Sequence, residues 1–176
     1  FQRNIVYSNR KLILKSPSQP TILGFGEFII SDLFSDIENG EINFNQACKR
    51  FEGIVCHKIQ NTFLYEGEGD LSSDDFGRDE LYNYFSYEFW MAYQTKLDYF
   101  AVFSEGVDIF RDLEKTISLT SLDFMWQQHI EKMNIIRDNV SWRAYAQRDP
   151  YSEYLREAFF EFSLHKDTYK FYTIYM

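Results

Sequence analysis

Residues 122–162 read "LDFMWQQHIEKMNIIRDNVSWRAYAQRDPYSEYLREAFFEF", and this stretch decides the fold. In its first part, six residues follow one another at intervals of 4, 3, 4, 3 and 4 positions. Such intervals keep side chains on one face of an α-helix. The seam positions are Leu122, Trp126, His129, Met133, Ile136 and Val140, preceded by Ile109, Leu113 and Ile117. The pattern predicts one long helix with a coiled-coil-like seam.

A second helix is predicted to begin at Pro150. The carboxylate of Asp149 can cap free backbone amides, and proline fits the first helical position, where no N–H donor is needed. Glu153 adds favourable negative charge to the first turn. The inward positions are expected to be Tyr154, Ala158, Phe159 or Phe162, and Leu164. Two long helices joined by about a dozen residues predict an antiparallel hairpin with the polar stretch "SWRAYAQRDP", residues 141–150, at its tip.

The chain upstream of this hairpin also shows helical periodicity. Pro17 and Pro20 interrupt the first pattern, so its helix is expected to end or kink at Lys15. Further helices are predicted at residues 2–15, 21–37, roughly 43–63, and 81–103, where aromatic side chains surround the helix almost completely. An aromatic helix of this kind is normally buried, although it also suits a partner's groove or a membrane interface. The predicted fold class is therefore all-α.

Composition excludes several classes of function. The 176 residues are 45% hydrophobic and 19% aromatic, enough for one sizeable core or two small ones. A net charge of −9 disfavours nucleic acid, since binding there depends on cations that neutralise phosphates. The sequence contains no run of about 18 apolar residues, so no membrane span is predicted. The start of the sequence, at Phe1, does not have the pattern of a signal peptide.

No metal or cofactor is predicted. The acidic stretch "YEGEGDLSSDDFGRDE", residues 65–80, lacks the alternating ligands and distal glutamate of an EF-hand and is expected to be a solvated loop. Cys48 and Cys56 are expected to be reduced thiols, too few for a zinc site. Cys56 and His57 point about 100° apart on a helix, which suits proton sharing poorly. His129 lies on the apolar seam, where a hydrogen-bonded structural histidine is expected.

The tip residues allow two interpretations. Trp142 or Tyr145 can fold back and seal the end of the hairpin. Alternatively, Tyr145 is presented outward as a contact residue between Arg143 and Arg148, with Gln147 beside it. Tyrosine and arginine are typical contact residues, because both bury large areas and make polar bonds with little loss of rotamer freedom.

The hairpin sequence resembles the two-helix finger of the SecA preprotein translocase. A second stretch, Gln2-Arg3, Ile5 to Tyr7, Arg10 and Ile13-Leu14, resembles the start of the long helix of the SecA helical scaffold. The matching hairpin residues are Leu122-Asp123, Trp126, His129, Met133, Arg137, Arg143, the block Tyr145 to Pro150, Glu153-Tyr154, Glu157 and Phe162. The resemblance implies a long scaffold helix plus an antiparallel hairpin, with a small helical wing inserted. The domains are then 1–38 with 105–176 as scaffold and finger, and 39–104 as the wing-like insertion.

The sequence also differs from the family pattern at several positions. The usual tip is Leu-Arg-Gly-Tyr, whereas Trp142 and Ala144 flank Arg143 here, and alanine lacks the positive-φ freedom of glycine. This "WRAY" form is similar to SecA of plastid lineages, so a plastid location is expected, in the stroma or at the stromal face of the thylakoid, with a bacterial-type cytoplasm as the other possibility. The sequence contains no G-x-x-x-x-G-K-[ST] phosphate loop, so we expect no ATP hydrolysis by this chain.

The resemblance implies a non-enzymatic module that works in protein translocation as part of a split or truncated SecA. Its partners would be a SecY-type channel, a preprotein and a separate motor chain, with no nucleic acid, and it would lie peripheral to the membrane. Tyr145 would contact the preprotein, while Arg143 and Arg148 would meet polar or anionic groups at the mouth of the channel. The alternative is a SecA-derived structural subunit of a larger membrane complex, for instance of the thylakoid, docked through residues 81–103.

Overall fold

A computed structural model describes residues 1–58, 78–103, 107–143 and 149–175 of the chain. These residues form seven helices and no strand, which confirms the all-α prediction. The helices are α1 (Gln2–Lys15), α2 (Ser18–Glu38), α3 (Phe44–Val55), α4 (Arg78–Phe103), α5 (Val107–Arg143), α6 (Pro150–His165) and α7 (Thr168–Tyr175).

Proline sets two of the predicted helix ends. Helix α1 stops at Lys15, because Ser16 adopts an extended backbone immediately before Pro17. Helix α6 begins at Pro150, and the carboxylate of Asp149 accepts hydrogen bonds from the amides of Tyr151 (3.4 Å) and Ser152 (3.2 Å). Both boundaries lie where the sequence predicts them.

One predicted helix was too long, and another helix was not predicted. Helix α3 ends at Val55 instead of continuing towards residue 63, because Cys56 takes a left-handed conformation with φ of 53°. The prediction failed since no glycine marks this cap, whereas left-handed helix caps are usually glycine. Residues 59–63 lie outside the described chain. Helix α7 was not predicted, because the polar residues 165–167, "HKD", that precede it indicate only a solvated segment.

The chain forms two compact units. Unit 1 comprises residues 1–16 and 115–173, and unit 2 comprises residues 17–114 and 174–176. The predicted domain boundaries after residues 38 and 104 rest on the resemblance to the family, whereas the two units are defined by compactness. The predicted boundaries therefore stay a prediction.

The core of unit 2 is built on aromatic side chains from α2, α3 and α4. Phe51 and Phe85 are fully buried, with ring centroids 5.1 Å apart, and Phe34 meets Phe85 edge to face at 5.9 Å. Gly26 lies against Phe89, where a Cβ atom would overlap the aromatic ring. Helices α2 and α4 therefore approach more closely here than two larger side chains would allow.

Burial of the aromatic helix α4 is only partial. Its inward side chains are Leu81, Phe85, Phe89, Ala92 and Tyr93, whereas Tyr87, Trp90, Met91 and Tyr99 are exposed by 38–61%. The preferred interpretation of residues 81–103 as a buried helix thus holds for one face, and an aromatic surface remains on the other.

Candidate functional site

Helices α5 and α6 form the predicted antiparallel hairpin within unit 1. His129 contacts Phe162 with ring centroids 5.2 Å apart, and Lys132 bonds to Glu161. Farther along α5, Ile136 shares a groove with Glu157. Positions thus rise along α5 as they fall along α6, which defines an antiparallel pair.

The predicted seam of α5 is correct in its spacing and wrong at some positions. Leu122, His129 and Val140 are buried, and Trp126, Met133 and Ile136 are half-buried. Met125, which was not predicted, is buried instead at the inward position beside Trp126. On α6, the inward aromatic residue is Phe162 rather than Phe159.

Three predicted inward side chains prove to be exposed. Leu164 of α6 is 58% exposed, and Ile109 and Leu113 of α5 are 50% and 39% exposed. In unit 2 the buried position next to Leu113 belongs to Glu114, a carboxylate that apolar periodicity does not predict. Periodicity gives the spacing of the buried positions, but a shift of one residue in their phase rotates the buried face by about 100°.

His129 lies at the centre of the hairpin, enclosed by aromatic rings. Its side chain is only 3% exposed, stacks on Trp126 at 5.6 Å and an interplanar angle of 30°, and meets the edge of Phe162. Burial lowers the pKa of His129 below its usual 6.5, and the nearby His165 and Lys132 lower it further, against an opposing effect of Glu161. The imidazole is therefore neutral at neutral pH.

Gln2 joins the hairpin to α1. Its Oε1 atom lies 2.9 Å from His129 Nε2 on α5, and its Nε2 atom donates to the carbonyl oxygen of Ala158 on α6 at 2.9 Å. Because the amide oxygen can only accept, this arrangement places the proton of the neutral imidazole on Nε2. One side chain thus holds both hairpin helices and fixes the tautomer of His129. We call Gln2, His129 and Ala158 the glutamine clamp.

A second polar cluster ties α5 to α6. The ammonium of Lys132 donates to Glu161 Oε2 and to His165 Nε2, each at 3.1 Å, while His165 Nδ1 lies 3.0 Å from the carbonyl oxygen of Glu161. The cluster borders a cavity of about 260 Å³ that His129 also lines. Within the described residues no group of three or more histidine, cysteine or acidic side chains could hold a metal ion.

The remaining predicted finger residues occupy the outer half of the hairpin. Asp149 caps α6. Hydrogen bonds from Ser152 and, to a smaller extent, from the amide of Tyr151 hold the pKa of its carboxyl below the usual range. Glu153 accepts from Arg156 at 2.6 Å, and Tyr154 is half-buried. Arg137 is exposed beside Asp138.

Two of the five predicted contact residues belong to the described chain. Trp142 and Arg143 belong to the last turn of α5. Tyr145, Gln147 and Arg148 fall on residues 144–148, outside the described chain. Their two alternative roles, a sealed tip or an outward contact, both stay predictions.

Sequence reasoning missed the polar anchors of the site, namely Gln2, Lys132 and Glu161. Gln2 and His129 are 127 positions apart, so no local periodicity connects them. The separate resemblances of the two ends of the chain were the available signal, because both ends belong to the scaffold in the family.

None of the helices that the structure describes combines the length and the apolar character needed to cross a bilayer.

Comparison with known proteins gives consistent matches. The family model described as the SecA Wing and Scaffold domain matches residues 1–176. The protein translocase subunit SecA of Phaeodactylum tricornutum is 33% identical over 175 residues, which cover 99% of this chain and 19% of the relative. The same subunit of Trieres chinensis is 34% identical and that of Thalassiosira pseudonana 35%, each covering 90% of the chain and 17% of the relative. These SecA relatives belong to algal plastid genomes, and the chain spans less than a fifth of their length.

Proposed function

The chain belongs to the SecA wing and scaffold domain family, and from this premise we propose that it serves protein translocation as a non-enzymatic scaffold-and-finger module of a split or truncated SecA. The hairpin would reach the mouth of a SecY-type channel. Tyr145 would contact the preprotein, and the flanking residues Trp142, Arg143, Gln147 and Arg148 would meet the preprotein or polar groups of the channel.

The glutamine clamp is the observation that supports this proposal most. A hairpin that pushes or guides a substrate needs a fixed base, since a contact residue acts only if its support is rigid. Gln2 provides such support by hydrogen bonding to α5 and α6 together, while the rings of Trp126 and Phe162 pack against His129.

In this proposal ATP hydrolysis is performed by motor domains outside these 176 residues. Phosphoryl transfer requires placed backbone amides, a lysine and a metal ion, and the sequence contains no phosphate-loop motif to provide them. The similarity covers 19% of the SecA of Phaeodactylum tricornutum. We propose that the assembly lies in a plastid, because the SecA relatives belong to algal plastid genomes. The stromal face of the thylakoid is our more specific proposal within that organelle.

The alternative function, a structural subunit of a larger membrane complex, is favoured by the aromatic surface of α4. Tyr87, Met91 and Tyr99 are exposed by 59, 40 and 61%. Exposed aromatic and methionine side chains are enriched at protein–protein interfaces. Under this proposal α4, and not the hairpin tip, makes the contact with partner subunits.

Photocrosslinking distinguishes the two proposals. A photoreactive phenylalanine analogue is placed at position 145 in one variant and at position 99 in another, since both positions hold tyrosine in the native chain. In intact organelles, adducts from position 145 to a channel subunit or a preprotein support the translocation module. Adducts from position 99 alone, to subunits of a stable membrane complex, contradict it and support the structural role.

A further inference from the structure

Helix α1 carries a charge opposite to that of the whole chain. Over 14 residues it contains Arg3, Arg10, Lys11 and Lys15 and no acidic residue, although the chain has 27 acidic and 18 basic residues. Arg10 pairs with Asp123 of α5. Arg3, Lys11 and Lys15 are exposed and form no ion pair with any residue in the described part of the chain.

The three free cations lie on one face together with two apolar side chains. Val6 and Ile13 point into the core, each 3% exposed, whereas Tyr7 and Leu14 are 50% and 53% exposed. Tyr7 and Leu14 are seven residues apart and therefore occupy the same side of the helix. Arg3 and Lys11 lie one turn to either side of Tyr7, and Lys15 adjoins Leu14.

This arrangement matches a helical partner better than a lipid surface. Apolar residues at a heptad interval form a seam, and charged residues beside the seam select the partner's charge. An interfacial membrane helix needs a wide apolar face. Val6 and Ile13 face the core, and the exposed Leu12 lies on a different side of the helix from Tyr7 and Leu14, so the outward face offers only a narrow stripe between cations.

We propose that the outward face of α1, formed by Arg3, Tyr7, Lys11, Leu14 and Lys15, is a docking surface for an acidic amphipathic helix of a partner protein. The partner's apolar residues pack on Tyr7 and Leu14, and its glutamate or aspartate residues pair with the three cations. The proposed surface contains none of the predicted contact residues 142–148, so the interaction is not expected to depend on Tyr145 and goes beyond the proposed translocation role.

The test uses the whole chain and a designed probe. A fluorescein-labelled peptide of three heptads, with leucine at the seam positions and glutamate beside them, is titrated and followed by anisotropy. The decisive variant combines Arg3→Gln, Lys11→Gln and Lys15→Gln. Its matched control combines Lys49→Gln, Lys58→Gln and Lys166→Gln, three exposed lysines that also lack ion pairs among the described residues.

We expect saturable binding that the decisive variant weakens at least about tenfold and that the control leaves unchanged. Tyr7→Ser with Leu14→Ser should weaken it similarly, while Lys11→Arg with Lys15→Arg and Tyr145→Ala should each retain it. Circular dichroism confirms that every variant is folded.

Three outcomes overturn the proposal. Equal binding of a scrambled peptide of the same composition, or equal loss in the control variant, would indicate attraction by charge alone. Binding of phosphatidylglycerol vesicles through the same three cations, without binding of the peptide, would identify a membrane contact instead.

Discussion

Gln2 connects three helices through two hydrogen bonds, and its removal should weaken all of unit 1. In Gln2→Ala the Nε2 proton of His129 loses its partner, and the carbonyl oxygen of Ala158 loses its second hydrogen bond while keeping the one within α6. Unsatisfied polar groups cost about 1–3 kcal/mol when buried, so urea unfolding should show a loss of stability in this range. Gln128→Ala, at an exposed position of α5, is the control and should change stability by less than about 0.5 kcal/mol. Equal effects of both substitutions would contradict a clamp.

Tyr145 is predicted to be a contact residue, and its removal should leave the fold intact. If the side chain is presented outward, Tyr145→Ala shifts the melting temperature by no more than a typical surface substitution. A drop of many degrees in a thermal scan would show instead that Tyr145 seals the end of the hairpin. Phe162→Ala, which opens a cavity beside His129, is the comparison and should cost about 3–5 kcal/mol.

At the scale of the elements, the contact between α2 and α4 depends on Gly26, which has no side chain. Gly26→Ala places a methyl group into the ring of buried Phe89, and such overpacking typically costs about 1–3 kcal/mol. Gly24→Ala lies two residues away on the same helix with open space around it and should stabilise the protein by up to about 1 kcal/mol. We expect the two substitutions to change the free energy of unfolding, measured by chemical denaturation, with opposite signs. If both substitutions destabilise the protein, helix propensity and packing against Phe89 do not explain their effects.

The same scale shows what the sequence could and could not predict. Local chemistry determined the ends of α1 and α6, since Pro17 and the Asp149-Pro150 pair act on their own neighbours. The end of α3 at Cys56 has no such local cause. At the candidate site the aromatic seam around His129 followed from periodicity, but its hydrogen bond to Gln2 is set by tertiary packing across the chain. Tertiary partners of polar side chains are therefore the part that sequence reasoning missed.

At the scale of the whole molecule, the two units should respond to pH with opposite signs. His129 in unit 1 has a pKa below the usual 6.5, so the unfolded chain binds its proton more readily, and stability is lost as the pH falls below about 6.5. In unit 2, burial raises the pKa values of Glu88 and Glu114 above the usual 4.5. Their folded forms retain protons that the unfolded chain has released, so this stability is present below 4.5 and is lost as the pH rises through the raised values.

Hydrogen exchange measured at pH 5 and pH 7.5, after correction for the intrinsic rate, tests this prediction. Acidification should reduce the protection of α5 amides around His129 and increase that of α4 amides around Tyr93. His129→Phe should abolish the first effect, and Glu88→Gln with Glu114→Gln the second. A response of the same sign in both units, unaltered by these variants, would exclude the assigned groups.

The division of unit 1 between the two ends of the chain determines the order in which the protein forms during synthesis. Residues 17–114, most of unit 2, leave the ribosome before any part of residues 115–173. Gln2 must wait for Ala158, 156 positions later, which at about 5–20 residues per second amounts to roughly 8–30 s. During that interval the nascent α1 exposes Val6 and Ile13 beside its cations. The nascent chain thus exposes a basic segment with unburied apolar side chains for much of its synthesis. We expect this segment to bind chaperones that act on nascent polypeptides.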